Sequence, residues 1–240
     1  MYWLPEKRYS GKQFSFRNME YLAPIRKLFE LNADPVKAAG ARAYMKDISE
    51  FYGLTAPARR LVLQEFLKSQ GLPQREDLGK MIEYAWNQPQ REWQYVAMEI
   101  TGRFARKGYP DLLILSEFMI THKSWWDTVD YISPNIAGTV LAKNPGMIPA
   151  VTGKWMKSGN KWLQRACLLF QLKYREKTDS ALLFRLCDEL SGHPDFFIRK
   201  AIGWSLREFS KTNPMAVSEF VKMHTLSPLS RKEAIRLIED

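Results

Sequence analysis

Helix-breaking residues punctuate this chain at short, nearly regular intervals, and that spacing limits the possible folds more than any single motif. Breakers fall at Asp34-Pro35, Gly53, Gly71-Leu72-Pro73, Gly108-Tyr109-Pro110, Asn144-Pro145, Gly159, His193-Pro194, Asn213-Pro214 and Ser227-Pro228, with apolar stretches of helix length between them. From about Met19 onward the apolar residues recur with the helical period, and no run alternates long enough to argue for a strand. The second helices of successive pairs are expected to begin near Trp93, Trp126, Trp162, Phe197 and Ser230, which are 33, 36, 35 and 33 residues apart. Such a period is typical of helical solenoids of HEAT or TPR type, in which each helix pair buries its apolar face against its neighbours. The pattern alone leaves a non-repetitive all-α bundle open. Residues 1–18 mix Tyr2, Trp3, Phe14 and Phe16 with Lys7, Arg8, Lys12 and Arg17, and read as an amino-terminal extension, a mobile arm or a segment upstream of Met19. Residues 19–240 read as one domain.

Composition narrows the functional classes. Hydrophobic residues make up 45 % of the 240, enough for a continuous core. No run of 18 or more uncharged apolar residues is present, so no membrane span is expected, and the amino end has no apolar core of signal-peptide type. Lys and Arg number 36 against 26 Asp and Glu, a formal charge of +10. That excess suggests an anionic partner, nucleic acid or an acidic membrane surface, and charge alone does not choose between them. Cys167 and Cys187 lie in apolar helical patterns and read as buried thiols of a reducing, cytoplasmic compartment rather than a disulfide. His122, His193 and His224 form no metal-ligand pattern, and neither a Gly-rich phosphate loop nor a G-x-S-x-G elbow occurs. No metal or cofactor is therefore expected.

The repeat period puts equivalent positions of stacked second helices on one side of the array. Stepping by 35 from Asp130 reaches Arg165 and then Lys200; stepping back reaches Tyr95. In the helix around Trp204, the residues Ile198, Ala201, Ile202, Ser205, Leu206 and Phe209 follow the helical spacing and are expected to form a buried face. Lys200, Trp204, Arg207 and Lys211 follow the same spacing on the other side. A large aromatic flanked by cations suits contact with nucleic acid, although most tryptophans are core residues. In the helix that starts at Trp125-Trp126, the residues Trp125, Val129, Ile132 and Ile136 are expected in the core. Trp126 and Asp130 are an i,i+4 pair on another face. Asp130 is either a solvated carboxylate, a partner for Arg165 or a chemical group. Asp127, early in that helix, suits the helix dipole. Arg165 sits in a helix that is apolar on nearly every side and needs a carboxylate, a phosphate or water as partner.

The strings HKSWWDTVDYI, WLQRACLLFQLKY, FFIRKAIGWSLREFSKTNP and LSPLSRKEAI closely resemble the AlkD-type DNA alkylation-repair glycosylases, HEAT-like repeat enzymes that release 3-methyladenine and 7-methylguanine. ARAYMKDISEFYGLTAPARR is similar to that family's opening repeat, so the resemblance runs from about Met19 to the end. It implies an all-α, curved, right-handed solenoid of HEAT-like helix pairs with a basic concave face. By position it implies that Asp130 is the catalytic carboxylate, that Trp126 and Trp204 face the sugar, and that Arg165 lies beside the lesion. It further implies that Tyr44, Lys173 and Arg207 contact DNA. Thr55 departs from the pattern, standing where a relative carries a longer polar side chain, which bears on contacts to the undamaged strand.

The implied activity is hydrolysis of the N-glycosidic bond of N3- or N7-alkylated purines in duplex DNA, without deep base flipping, as the first step of base excision repair. Arg165, Lys200, Arg207 and Lys211 are then expected to hold phosphates. The expected partner is double-stranded DNA carrying alkylated purines, and the expected state is a monomer. Two other readings are a non-catalytic HEAT-repeat protein that binds distorted or damaged DNA, and a protein-interaction scaffold.

Overall fold

The structure is a computed structural model that describes residues 16–238. The expected extension over residues 1–18 lies largely outside the described residues. Within them the chain is helical throughout, with one isolated bridge between Glu50 and Gln90. It divides into two compact units, one ending at Glu92 and the other beginning at Trp93.

The first unit holds α1 (Phe16–Leu31), α2 (Pro35–Tyr44), α3 (Ala56–Gln70) and α4 (Leu78–Asn87). Asp34 caps α2 by accepting from the backbone N–H groups of Val36 and Lys37, and Thr55 caps α3 by accepting from Ala58. The loop between these helices is pinned by Glu92. Its buried carboxylate accepts the backbone N–H groups of Tyr52, Gly53 and Leu54 at 3.1, 2.9 and 3.2 Å. Gly53 is required there: its φ is +92°, and a Cβ would lie 2.2 Å from the carbonyl oxygen of Asp34.

The second unit carries α5 (Glu92–Ala105) from Trp93 on, α6 (Leu112–Thr121), α7 (Trp126–Ile132), α8 (Gly138–Lys143), α9 (Ile148–Lys157), α10 (Lys161–Leu169), α11 (Ser180–Glu189), α12 (Phe196–Ser210), α13 (Pro214–Met223) and α14 (Pro228–Ile235). The five second helices begin within two residues of the positions that the 33–36-residue spacing predicts. Asn160, Asp179, Asp195, Asn213 and Ser227 cap α10 to α14 in order, each accepting backbone N–H groups of the first turn. Successive second helices pack on one another, α7 on α10, α10 on α12 and α12 on α14. The packed faces are apolar: Val129, Ile132 and Ile136, then Ala166 and Leu169, then Ile198, Ala201, Ile202 and Leu206 are all fully buried. Deleting any of the larger ones would cost about 2–5 kcal/mol. Both cysteines are buried and free, and burial pushes the Cys187 thiol up to about 12.

The helix through Asp130 is not regular to its end. Pro134 has no N–H to give the carbonyl of Asp130, so the next turn, Ser133–Ala137, widens to a π-helical turn before α8 resumes the α-helix. Side chains donate to nearby carbonyls there: Ser133 Oγ to Val129 O at 2.6 Å and Asn135 Nδ2 to Tyr131 O at 2.7 Å. The sequence pattern reads this stretch as one uninterrupted helix, and the Ser133-Pro134 step was its unused signal.

Candidate active site

The site grows from the contact between α7, α10 and α12. Arg165 on α10 is buried among Trp162, Leu163, Ala166, Cys167, Leu168 and Leu169, where an unpaired cation would be costly. Two partners satisfy it. Its Nε and Nη2 donate to Oδ1 and Oδ2 of Asp130 at 2.7 and 2.8 Å, the two-pronged geometry that fits guanidinium to carboxylate. Its Nη1 donates to the main-chain carbonyl of Phe197, at the start of α12. Of the partners that the sequence allows for Arg165, the structure uses the carboxylate and adds a carbonyl. Nη1 and Nη2 each carry a second N–H beyond the one used in these bonds.

Asp130 is neither solvated nor sealed in. Its side chain is 16 % exposed against 4 % for Arg165, so the acid has an opening that its partner lacks. Each carboxylate oxygen has a second lone pair beyond the one that Arg165 occupies. Burial pushes the carboxyl above the ordinary aspartate range; the bond and charge of Arg165 pull it down, and the neighbouring Asp127 adds to the upward push. Burying the ionised acid therefore costs folding energy. Its contribution to stability is complete below the ordinary aspartate value and is lost as pH rises through the raised one. At neutral pH the ion pair is held at some expense of stability, a common condition of chemically active groups.

Trp126, one turn before Asp130 on α7, is partly exposed, as is Trp204 on α12. Trp204 lies seven residues after Phe197 on the same face of α12, about 10 Å further along at 1.5 Å per residue. Tyr95, in register one repeat earlier, does not reach Asp130; its hydroxyl donates to Asp127 Oδ2 at 2.7 Å. Asp127 thus serves the first turn of α7 and is held by α5.

Trp125 departs from its expected place. It is only half-buried rather than core, because it precedes the helix as the cap of α7, with φ −155° and ψ 164°, and the helical wheel does not apply to it. Its ring packs 5.9 Å from Trp162 and 5.2 Å from Phe197, and Lys161 Nζ stands 5.6 Å from the Phe197 ring. Phe197, which ties its carbonyl to Arg165 and its ring to this cluster, is marked in the sequence as a helix start but not as a site residue. Its position one repeat after Trp162, whose ring it meets, is the signal that could have given it that role.

The cations of α12 are placed as the wheel predicts but are not bare. Lys200 and Arg207 both reach Glu233 of α14 at 2.5 Å, and Lys211 pairs with Glu208 at 2.6 Å. Lys173 is exposed, its Nζ donating to Asn135 Oδ1 in the π turn at 2.6 Å. Tyr44, in the first unit, ends α2 and is 71 % exposed. Among the described residues no group of three or more His, Cys, Asp or Glu is arranged to hold a metal ion, and no helix is long and apolar enough to cross a membrane.

Comparison with known proteins places the chain in a family. The family model described as DNA alkylation repair enzyme matches residues 25–238. Among solved structures, the chain is similar to a predicted DNA alkylation repair enzyme from Enterococcus faecalis, with a TM-score of 0.80 and 32 % identity over 87 % of this chain and 97 % of that one. No curated protein sequence matches. With nearly its whole length matched by the family model, the chain belongs to the family of DNA alkylation repair enzymes.

Proposed function

We propose that the protein is a DNA glycosylase that hydrolyses the N-glycosidic bond of cationic N3- or N7-alkylated purines in duplex DNA. The observation that carries this reading is the half-open Asp130 carboxylate, braced on both oxygens by Arg165 and standing one helical turn from Trp126. An alkylated ring nitrogen makes the purine cationic, so it departs as a neutral base without protonation. The C1′–N bond breaks with its electron pair going to the base, and positive charge develops on the deoxyribose. A carboxylate fixed before the reaction stabilises that charge without reorganising. Water then adds to C1′, and its proton passes to Asp130 or to solvent. Indole faces at Trp126 and Trp204 add cation–π attraction of about 1–2 kcal/mol each when desolvated. Tyr44, Arg165, Lys173, Lys200, Arg207 and Lys211 are the proposed DNA contacts, and a base left near the stack needs no deep pocket.

Methylated duplex DNA incubated with the protein should yield free 3-methyladenine or 7-methylguanine by chromatography. Uracil-containing duplex should yield no free base, because a neutral base needs acid assistance that Asp130, ionised beside Arg165, does not supply. Binding of methylated duplex without release of any base would favour the non-catalytic alternative.

The raised Asp130 pKa gives this activity a pH signature. The ionised form does the work, so the release rate should rise with pH through an inflection above the ordinary aspartate value. A rate already at its plateau at the ordinary aspartate pKa would contradict the raised Asp130 pKa.

A further inference from the structure

The cationic face of α12 has a built-in anion. Glu233 projects from α14 and divides its carboxylate between two neighbours, Oε1 to Lys200 and Oε2 to Arg207, both at 2.5 Å. Its side chain is 12 % exposed, against 39 % for Lys200 and 22 % for Arg207. The placement follows from helix packing. Gly203 lies between the two cations on α12, and a Cβ there would fall 2.4 Å from the Cβ of Glu233 and 2.7 Å from the carbonyl oxygen of Ser230. Ser230 is fully buried and its hydroxyl donates to the Arg199 carbonyl at 2.9 Å. A missing side chain on α12 therefore lets α14 close in, and α14 delivers the carboxylate. Lys200 and Glu233 are 33 residues apart, so the acid occupies the equivalent register position one repeat later.

We infer that Glu233 is a specificity residue, an internal competitor that keeps Lys200 and Arg207 from undamaged DNA until a phosphodiester displaces or shares its carboxylate. This inference rests on the DNA-binding reading above. Sequence-independent affinity comes from cations that exchange small counterions for backbone phosphates. Two cations already paired to one partly covered acid contribute little to that exchange, while Trp204, between them on the helix, stays available. DNA bent enough to press its backbone against α12 would recover both charges, and intact DNA would not. The low titration range of Glu233, held there by the Lys200 bond and by the charges of Lys200, Arg207 and Arg236 against the effect of burial, keeps the competitor ionised.

The test uses undamaged duplex DNA and measures affinity over a range of salt concentrations. Glu233→Gln should bind about 5-fold tighter at low salt, the effect of one unit charge at contact range in a water-like medium. Its log K against log salt should steepen by about 1–2, at roughly 0.9 per phosphate engaged. Glu233→Asp, which keeps the charge, should stay near the wild-type slope. In a Lys200→Gln, Arg207→Gln background, Glu233→Gln should leave the salt slope unchanged, since no cation is then freed. A folded Glu233→Gln variant with wild-type affinity and slope would overturn the inference.

Should Glu233→Gln fail to fold, the doubly neutralised protein carries the test alone. Loss of less than about 1 in slope is expected, and loss of nearly 2 overturns the inference. Wild-type protein that binds no duplex DNA would instead sink the DNA-binding reading itself, so the two failures are told apart.

Discussion

Asp130→Asn should cut release of a cationic purine by on the order of 10²–10³-fold, the usual cost of removing one preorganised electrostatic group. The amide keeps the shape and one acceptor but not the charge that meets the developing sugar cation. Binding of methylated duplex should remain within a few-fold of wild type, because the DNA contacts lie on other side chains. The variant has a second consequence. Arg165 is 4 % exposed and would lose its counter-charge, and breaking a buried pair from one side typically costs about 3–5 kcal/mol. Release should therefore be measured at a temperature where a melting curve shows the variant folded. A folded Asp130→Asn protein that releases 7-methylguanine at the wild-type rate would end the catalytic assignment.

A loss of stability of similar size is expected at a position with no chemistry. Gly138→Ala places a Cβ 2.1 Å from the carbonyl oxygen of Phe170 and 3.1 Å from the carbonyl oxygen of Ser133. Both obstacles are main chain and cannot swing aside. Phe170 follows α10 directly, and Tyr174 further fixes this approach by donating its hydroxyl to the Gly138 carbonyl at 2.7 Å. Relief would require α8 or the end of α10 to move, at a cost of about 3 kcal/mol or more. Chemical denaturation should show the loss as a lower midpoint. The displacement lies on the same two strands of chain that bring Asp130 to Arg165, so activity should fall more than the loss of folded protein explains. Alanine at Gly146 or Gly153 meets nothing within 4 Å and serves as the control.

The contrast between Gly138 and the helix starts shows what a sequence does and does not display. Helix boundaries are written in local chemistry. Asn160, Asp195 and Ser227 each cap a helix through a bond to a residue two or three positions on, and the repeat period places the next one. The apolar face of α12 follows from periodicity in the same way. The pairing of Asp130 with Arg165 was within reach because a 35-residue step joins them, and the family resemblance drew attention to the same residues. Three things depended on neighbours that periodicity does not reveal. Gly138 looks like any helical glycine until Phe170 lies against it. Trp125 fits the core side of a wheel, yet stands outside the helix. Lys200 and Arg207 look bare on a wheel, because a wheel shows which way a side chain points and not the acid that a later helix lays across it.

Arg165 joins more than a base to its acid. Its guanidinium holds a side chain of the repeat before and the main chain of the repeat after, so a single residue staples three consecutive modules. Helical arrays generally lose or exchange repeats one at a time, with each module answering only to its nearest neighbours. Here the modules carrying α7, α10 and α12 should unzip together, and a repeat transplanted from a relative would restore the array only if it arrived with all three points of attachment.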